Sequence, residues 1–142
     1  MLRRAVFLVA LAAAALPAAG LSAAAPAVVD VSLYGDLTTD WGIKAAPDDV
    51  GAGQVVFRVR NDASYEPHDL LIVRGTKADL SFDKEHDVVD LAHAAVSGSV
   101  TNVRPGTTRE LAVTLAPGDY VLLCNIRSHF AAGMATPFRV HP

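Results

Sequence analysis

The chain has 142 residues, a formal net charge of −3 and a sequence pI of about 5.9. That size allows a single domain, and the mild acidity leaves no basic surface for a nucleic acid. Cys124 is the one cysteine, so an internal disulfide is excluded.

The chain starts with a positive tetrapeptide, Met1-Leu2-Arg3-Arg4, then an unbroken apolar run from Ala5 to Leu16, then a small-residue stretch from Pro17 to Ala27. This is the three-part order of a secretory signal peptide. Ala25-Pro26-Ala27 meets the small-x-small cleavage rule, as does Ser22-Ala23-Ala24. Residues 1–27 are read as the leader and residues 28–142 as the domain, placed in the periplasm or secreted. An uncleaved anchor is the competing reading, but the apolar run falls short of the roughly 20 residues that span a bilayer. With no cysteine near the segment, lipid anchoring is not expected. Loss of residues 1–27 removes Arg3 and Arg4 and no acid, so the net charge moves from −3 to −5 and 115 residues of the 142 remain. A chain of that length buries about two thirds of its unfolded surface and needs no disulfide. In an oxidising compartment an unpaired thiol is a liability unless it is buried or ligated.

Strand patterns dominate residues 28–142. Val28 to Tyr34 alternates apolar with polar and meets the turn pair Gly35-Asp36. Leu37 to Gly53 reads as a long connection with a short strand at Trp41 to Ala45. From Gln54 to Asn61, Val55, Phe57 and Val59 share one face. His68 to Arg74 is a second strand, bounded by Pro67 and Gly75. The charged stretch Asp83 to Ala94, with Val88, Leu91, Ala92 and nearby Ala95 as its apolar positions, predicts a short helix. Val96 to Val103 and Arg109 to Leu115 are strands closed by Arg104-Pro105-Gly106-Thr107 and Ala116-Pro117-Gly118-Asp119. Tyr120 to Cys124 is almost wholly apolar, as in a strand buried on both faces, and Ala135 to His141 is the last strand. The expected fold is all-β: an antiparallel Greek-key β-sandwich of seven or eight strands with one short helix.

Cys124-Asn125-Ile126-Arg127-Ser128-His129-Phe130-Ala131-Ala132-Gly133-Met134 sets a thiolate, an imidazole and a thioether in one loop. This soft donor set selects copper among common biological metals. A mononuclear blue-copper site needs a second histidine, and His68, at a strand start after Asp62 to Pro67, is the best placed. Zinc could take His68, Cys124 and His129, but it gains little from a thioether. A catalytic Cys–His pair would need an exposed, activated thiolate, which the end of a buried strand does not provide.

Taken together, Asn61, the run His68-Asp69-Leu70-Leu71-Ile72-Val73, and Pro117-Gly118-Asp119-Tyr120 leading to Cys124 and its loop resemble the cupredoxins, the plastocyanin/azurin-type blue copper proteins. The loop spacing is most similar to that of the rusticyanin and sulfocyanin branch. The resemblance implies His68 and His129 as imidazole ligands, Cys124 as the thiolate and Met134 as a weak axial ligand. It also implies that Asp69 ties the two ligand-bearing loops together. Relatives often carry Pro-Gly before the loop histidine, where this chain has Arg127-Ser128.

The implied function is that of a type 1 copper electron carrier, a monomer cycling Cu(I)/Cu(II) without enzymatic turnover. Its partners would be redox proteins such as a c-type cytochrome or a terminal reductase or oxidase, with no membrane span after leader removal. The rivals are a copper chaperone or storage protein using the same pocket, and a metal-free interaction domain. Phe130, Ala131, Ala132, Ala135 and Pro137 are expected to form an apolar patch around a rim-exposed His129. His86 and His93 are read as solvated helix residues, His141 as inert, and Asp83, Glu85, Asp87 and Asp90 as a solvated face.

Overall fold

A computed structural model describes residues 25–142, so most of the leader expected at 1–27 lies outside the described residues. Among the described residues eleven strands occur in chain order: β1 Ala27–Tyr34, β2 Gly42–Ala46, β3 Asp49–Gly51, β4 Gly53–Asn61, β5 His68–Arg74, β6 Phe82–Asp83, β7 Val88–Val89, β8 Ala95–Val103, β9 Thr108–Leu115, β10 Gly118–Leu123 and β11 Ala135–His141. Two sheets, ordered β2-β1-β4-β9 and β3-β11-β10-β5-β8, make the sandwich, and β6 pairs only with β7.

Alternation along the strands assembles the core. Val55, Phe57 and Val59 on β4 are fully buried, as their spacing predicts, and Val29, Val31 and Leu33 on β1 join them. Leu70, Ile72 and Leu122 close the core from the second sheet, where Phe138 on β11 meets Phe57 edge to face at 5.4 Å. Arg58 points outward and pairs with Asp30 on β1 at 2.8 Å. β5 and β10 are buried on both faces. Their outward residues, Leu71, Val73, Val121 and Leu123, form a second apolar cluster with Val89 under the segment between β5 and β8. Two covered faces explain why these two strands read as nearly unbroken apolar runs.

The sandwich is mixed rather than purely antiparallel: β1 runs parallel to β4, and β3 parallel to β11. Apolar alternation has the same period in both arrangements, so it carries no information on direction. The helix expected over Asp83 to Ala94 does not form. In its place are β6, β7 and a single 3-10 turn, Leu91–His93. The cause is local. Asp83 accepts from the backbone N–H groups of Glu85 and His86, and Asp90 from that of Ala92. Such side-chain bonds draw the backbone out of a helix, and Asp87 has a φ of 57°.

Candidate metal centre

Three elements deliver the donors. β10 and β11 are antiparallel, with Leu123 opposite Ala135, which places Cys124 and Met134 across from one another where the hairpin opens. The Cys124 N–H donates to the Met134 carbonyl at 3.1 Å, and the Met134 N–H to the His129 carbonyl at 3.0 Å. The loop thus folds back on itself and returns His129 to the end of the core. β5 lies on the other side of β10, and His68 is its first residue. The segment before His68 is pinned by Asn61, fully buried, whose Nδ2 donates to the carbonyls of Glu66 and Val103.

His68, Cys124 and His129 are buried, and their ligand atoms all lie within 4.8 Å of one another. The two Nδ1 atoms are 3.2 Å apart, and Cys124 Sγ is 3.5 Å from His129 Nδ1. Two nitrogens bound to one metal at about 2.0–2.1 Å and near-tetrahedral angles stand about 3.3 Å apart, so this spacing fits a shared ion. His68 Nε2–H donates to the Gly35 carbonyl at 3.0 Å, which leaves the Nδ1 lone pair free to ligate. Burial holds both imidazoles below their ordinary pKa, and for His129 the neighbouring His68 adds to the effect. Both are therefore neutral donors at neutral pH. Burial also pushes the Cys124 thiol up to about 11, opposed by backbone hydrogen bonds from Asp69 and Ile126. Met134 is fully buried in the same apolar cluster as Cys124. His68, Cys124 and His129 thus come together at one end of the sandwich, and the Met134 backbone adjoins Cys124 and His129.

The supporting contacts differ in part from those expected. Asp69 reaches the cysteine through its backbone N–H, 3.2 Å from Cys124 Sγ, while its carboxylate accepts from the Asn102 N–H on β8. The side chain therefore ties β5 to β8 and not one ligand loop to the other. Arg127-Ser128 is held by the β6–β7 segment: Ser128 Oγ donates to Asp87 Oδ2 at 2.6 Å, its N–H to the Asp87 carbonyl at 2.9 Å, and Arg127 to the Glu85 carbonyl at 3.2 Å. Asn125 accepts from the Val89 N–H and donates to the Val89 carbonyl. The acidic stretch is a clasp on the ligand loop.

His129 is only 7% exposed and does not form an open rim. Phe130 turns away to stack on Phe82 at 5.9 Å, with Lys77 Nζ 5.3 Å from its ring centroid. Pro137 and Ala135 lie on β11 in a groove they share with Thr76, Lys77 and Val121. Ala131 and Ala132 stay exposed beside it. His86, His93 and His141 pair with Asp83, Asp90 and Asp49 at the surface. Sequence reasoning missed Trp41, whose indole lies edge-on to both imidazoles, with ring centroids 5.6 Å from His68 and 4.5 Å from His129. Its one sequence signal is that it is the sole tryptophan.

Comparison with known proteins agrees with this architecture. A sequence family described as multicopper oxidase matches residues 53–142. No curated protein sequence matches the chain. Among solved structures, reduced auracyanin from Roseiflexus castenholzii is similar at 20% identity and a TM-score of 0.58, over 84% of this chain and 100% of that one. Auracyanin A from Chloroflexus aurantiacus, a "blue" copper protein, is similar at 14% identity and 0.57, over 80% and 99%. Rusticyanin from Thiobacillus ferrooxidans reaches 0.62 at 14% identity, over 80% and 76%. These likenesses establish the cupredoxin fold.

Proposed function

The chain belongs to the multicopper oxidase family that its residues 53–142 match, and from that premise we propose that it is a one-electron carrier with a single type 1 copper site. The observation that carries this reading is the convergence of two neutral imidazole Nδ1 atoms on a buried thiol. His68, Cys124 and His129 would hold the metal, and the Met134 thioether would be a weak further donor. When bound, copper supplies a Cu(II)/Cu(I) couple. The protein's part is to orient the donors. Gly35 fixes the His68 tautomer, the Asp69 N–H stabilises charge on sulfur, and the β6–β7 clasp restrains the loop. Donors held in this way move little when the charge changes, so little reorganisation opposes electron transfer.

Among the described residues a single group of three or more such donors converges. One site passes one electron at a time, which favours a carrier over oxidase turnover. The leader pattern supports a periplasmic or secreted location, where a c-type cytochrome or a terminal reductase or oxidase would exchange the electron in a brief encounter. Cu(II) titration of residues 28–142 tests the reading. One equivalent should bind, with an intense visible thiolate-to-copper band and a narrow copper hyperfine splitting in EPR. Cys124→Ser should lose that band, and Met134→Leu should retain copper at a raised potential. A colourless site that hands Cu(I) to an acceptor would identify a copper-handling protein instead.

A further inference from the structure

His129 sits in a loop in which its neighbours Arg127, Ser128, Ala131 and Ala132 are exposed and Phe130 turns away to stack on Phe82. Its own burial therefore needs a cover from outside the loop. Trp41 supplies one from the position just before β2, a strand with no ligand, with its ring centroid 4.5 Å from that of His129. The same indole meets His68 at 5.6 Å, so one side chain borders both imidazoles edge-on, at the separations aromatic pairs favour.

The turns on either side are shaped to admit it. A Cβ on Gly35, which has a φ of +128°, would fall 2.7 Å from Trp41 Cα and 2.8 Å from its Cγ. A Cβ on Gly133, with a φ of +118°, would fall 3.1 Å from the Trp41 carbonyl oxygen. Gly35 also provides the carbonyl that accepts from His68 Nε2–H. Trp41 thus reaches His129 directly, and reaches His68 both directly and through the turn that sets its tautomer. Gly133 immediately precedes Met134, so the same packing borders the fourth proposed ligand.

We propose that Trp41 is a positioning residue of the metal centre, whose indole orients the two imidazoles and keeps water off the His129 ring. Its effect on redox behaviour rests on the copper reading; the cover itself does not. An indole over the imidazole replaces solvent with an apolar group, which disfavours the more highly charged oxidised ion. Trp41 should therefore hold the potential up and keep water protons away from the copper.

The test compares the parent with Trp41→Phe and Trp41→Ala. Without metal, diethyl pyrocarbonate modification of His129 is tracked by peptide mass spectrometry, with exposed His86 and His93 as internal references. The His129 rate should rise several-fold in Trp41→Ala and take an intermediate value in Trp41→Phe, while the references stay constant. With Cu(II) bound, the alanine variant should show faster bulk-water proton relaxation and a lower potential, and phenylalanine should restore part of both. His129 rates equal to the parent's in both variants would overturn the proposal. If circular dichroism finds Trp41→Ala unfolded, Trp41→Phe decides alone: a rise confined to His129 supports the cover, and a parental rate removes it. A parent that takes up no copper would sink the carrier reading, while the metal-free rates would still decide the role of Trp41.

Discussion

Cys124 combines two opposing features: a sulfur with no exposed surface, and an N–H from Asp69 at 3.2 Å that favours its charged form. Burial wins, and the thiol is raised to about 11. At any pH below that value the metal-free cysteine holds its proton, so an entering ion must release it. The histidines add no second proton at neutral pH, because burial lowers both of their pKa values. Copper affinity should therefore rise about tenfold for each pH unit between about 7 and 9, with close to one proton released per ion. Calorimetry in buffers of different ionisation enthalpy measures that proton, and a release near zero would mean the thiolate is already formed. Cys124, His129 and Met134 were legible in the sequence because their chemistry and spacing are local. Trp41 was not: its meaning lies in a contact with residues 27 and 88 positions away in the chain.

The stretch from Asp83 to Asp90 shows how an element's role can change on folding. Its composition suggested a solvated helix, whereas Asp83, Asp87 and Asp90 each use a carboxylate to fix a turn or hold the ligand loop. Propensity lost here because short polar side chains compete for backbone N–H groups. Asn125 is the centre of the clasp: it makes two hydrogen bonds to the Val89 backbone, at 2.7 and 3.0 Å. Asn125→Ala leaves a partly buried N–H and C=O unpaired and should cost about 1–3 kcal/mol of stability. A lower denaturant midpoint with an unchanged slope would show it, and a midpoint equal to the parent's would show that water replaces the amide. The clasp also holds Arg127-Ser128 through the Asp87 and Glu85 backbone and the Asp87 carboxylate. Hydrogen bonds from a neighbouring hairpin restrain this part of the loop, and Ser128 adopts a φ of 70°.

At the scale of the molecule, the donors sit at one end of a sandwich whose core is built mostly from residues that are not donors. Val29, Leu33, Val55, Phe57, Leu70, Ile72 and Leu122 are fully buried and none is a ligand. Among the described residues, no buried side-chain nitrogen or oxygen lacks a hydrogen-bond partner, the site histidines included. The fold should therefore survive metal removal, unlike a small zinc domain that is unfolded when empty. Near-UV and far-UV circular dichroism of the metal-free protein should report a native sandwich. Copper at one hundred times its dissociation constant should add about 2.7 kcal/mol to stability by mass action. A metal-free chain with the spectrum of an unfolded polypeptide would contradict this account.

The sequence by itself determined which residues can ligate and which stretches alternate. Donor chemistry belongs to each side chain, and a two-residue period needs only nearest neighbours. It therefore placed most strands of the two main sheets, named His68, Cys124, His129 and Met134, and pointed to a β-sandwich. Only the tertiary structure decided the parallel pairing of β1 with β4, the clasp at Ser128 and Asn125, and the indole over both imidazoles. Each of these depends on register between segments far apart in the chain, which is set by how whole faces pack and leaves no periodic trace in the sequence.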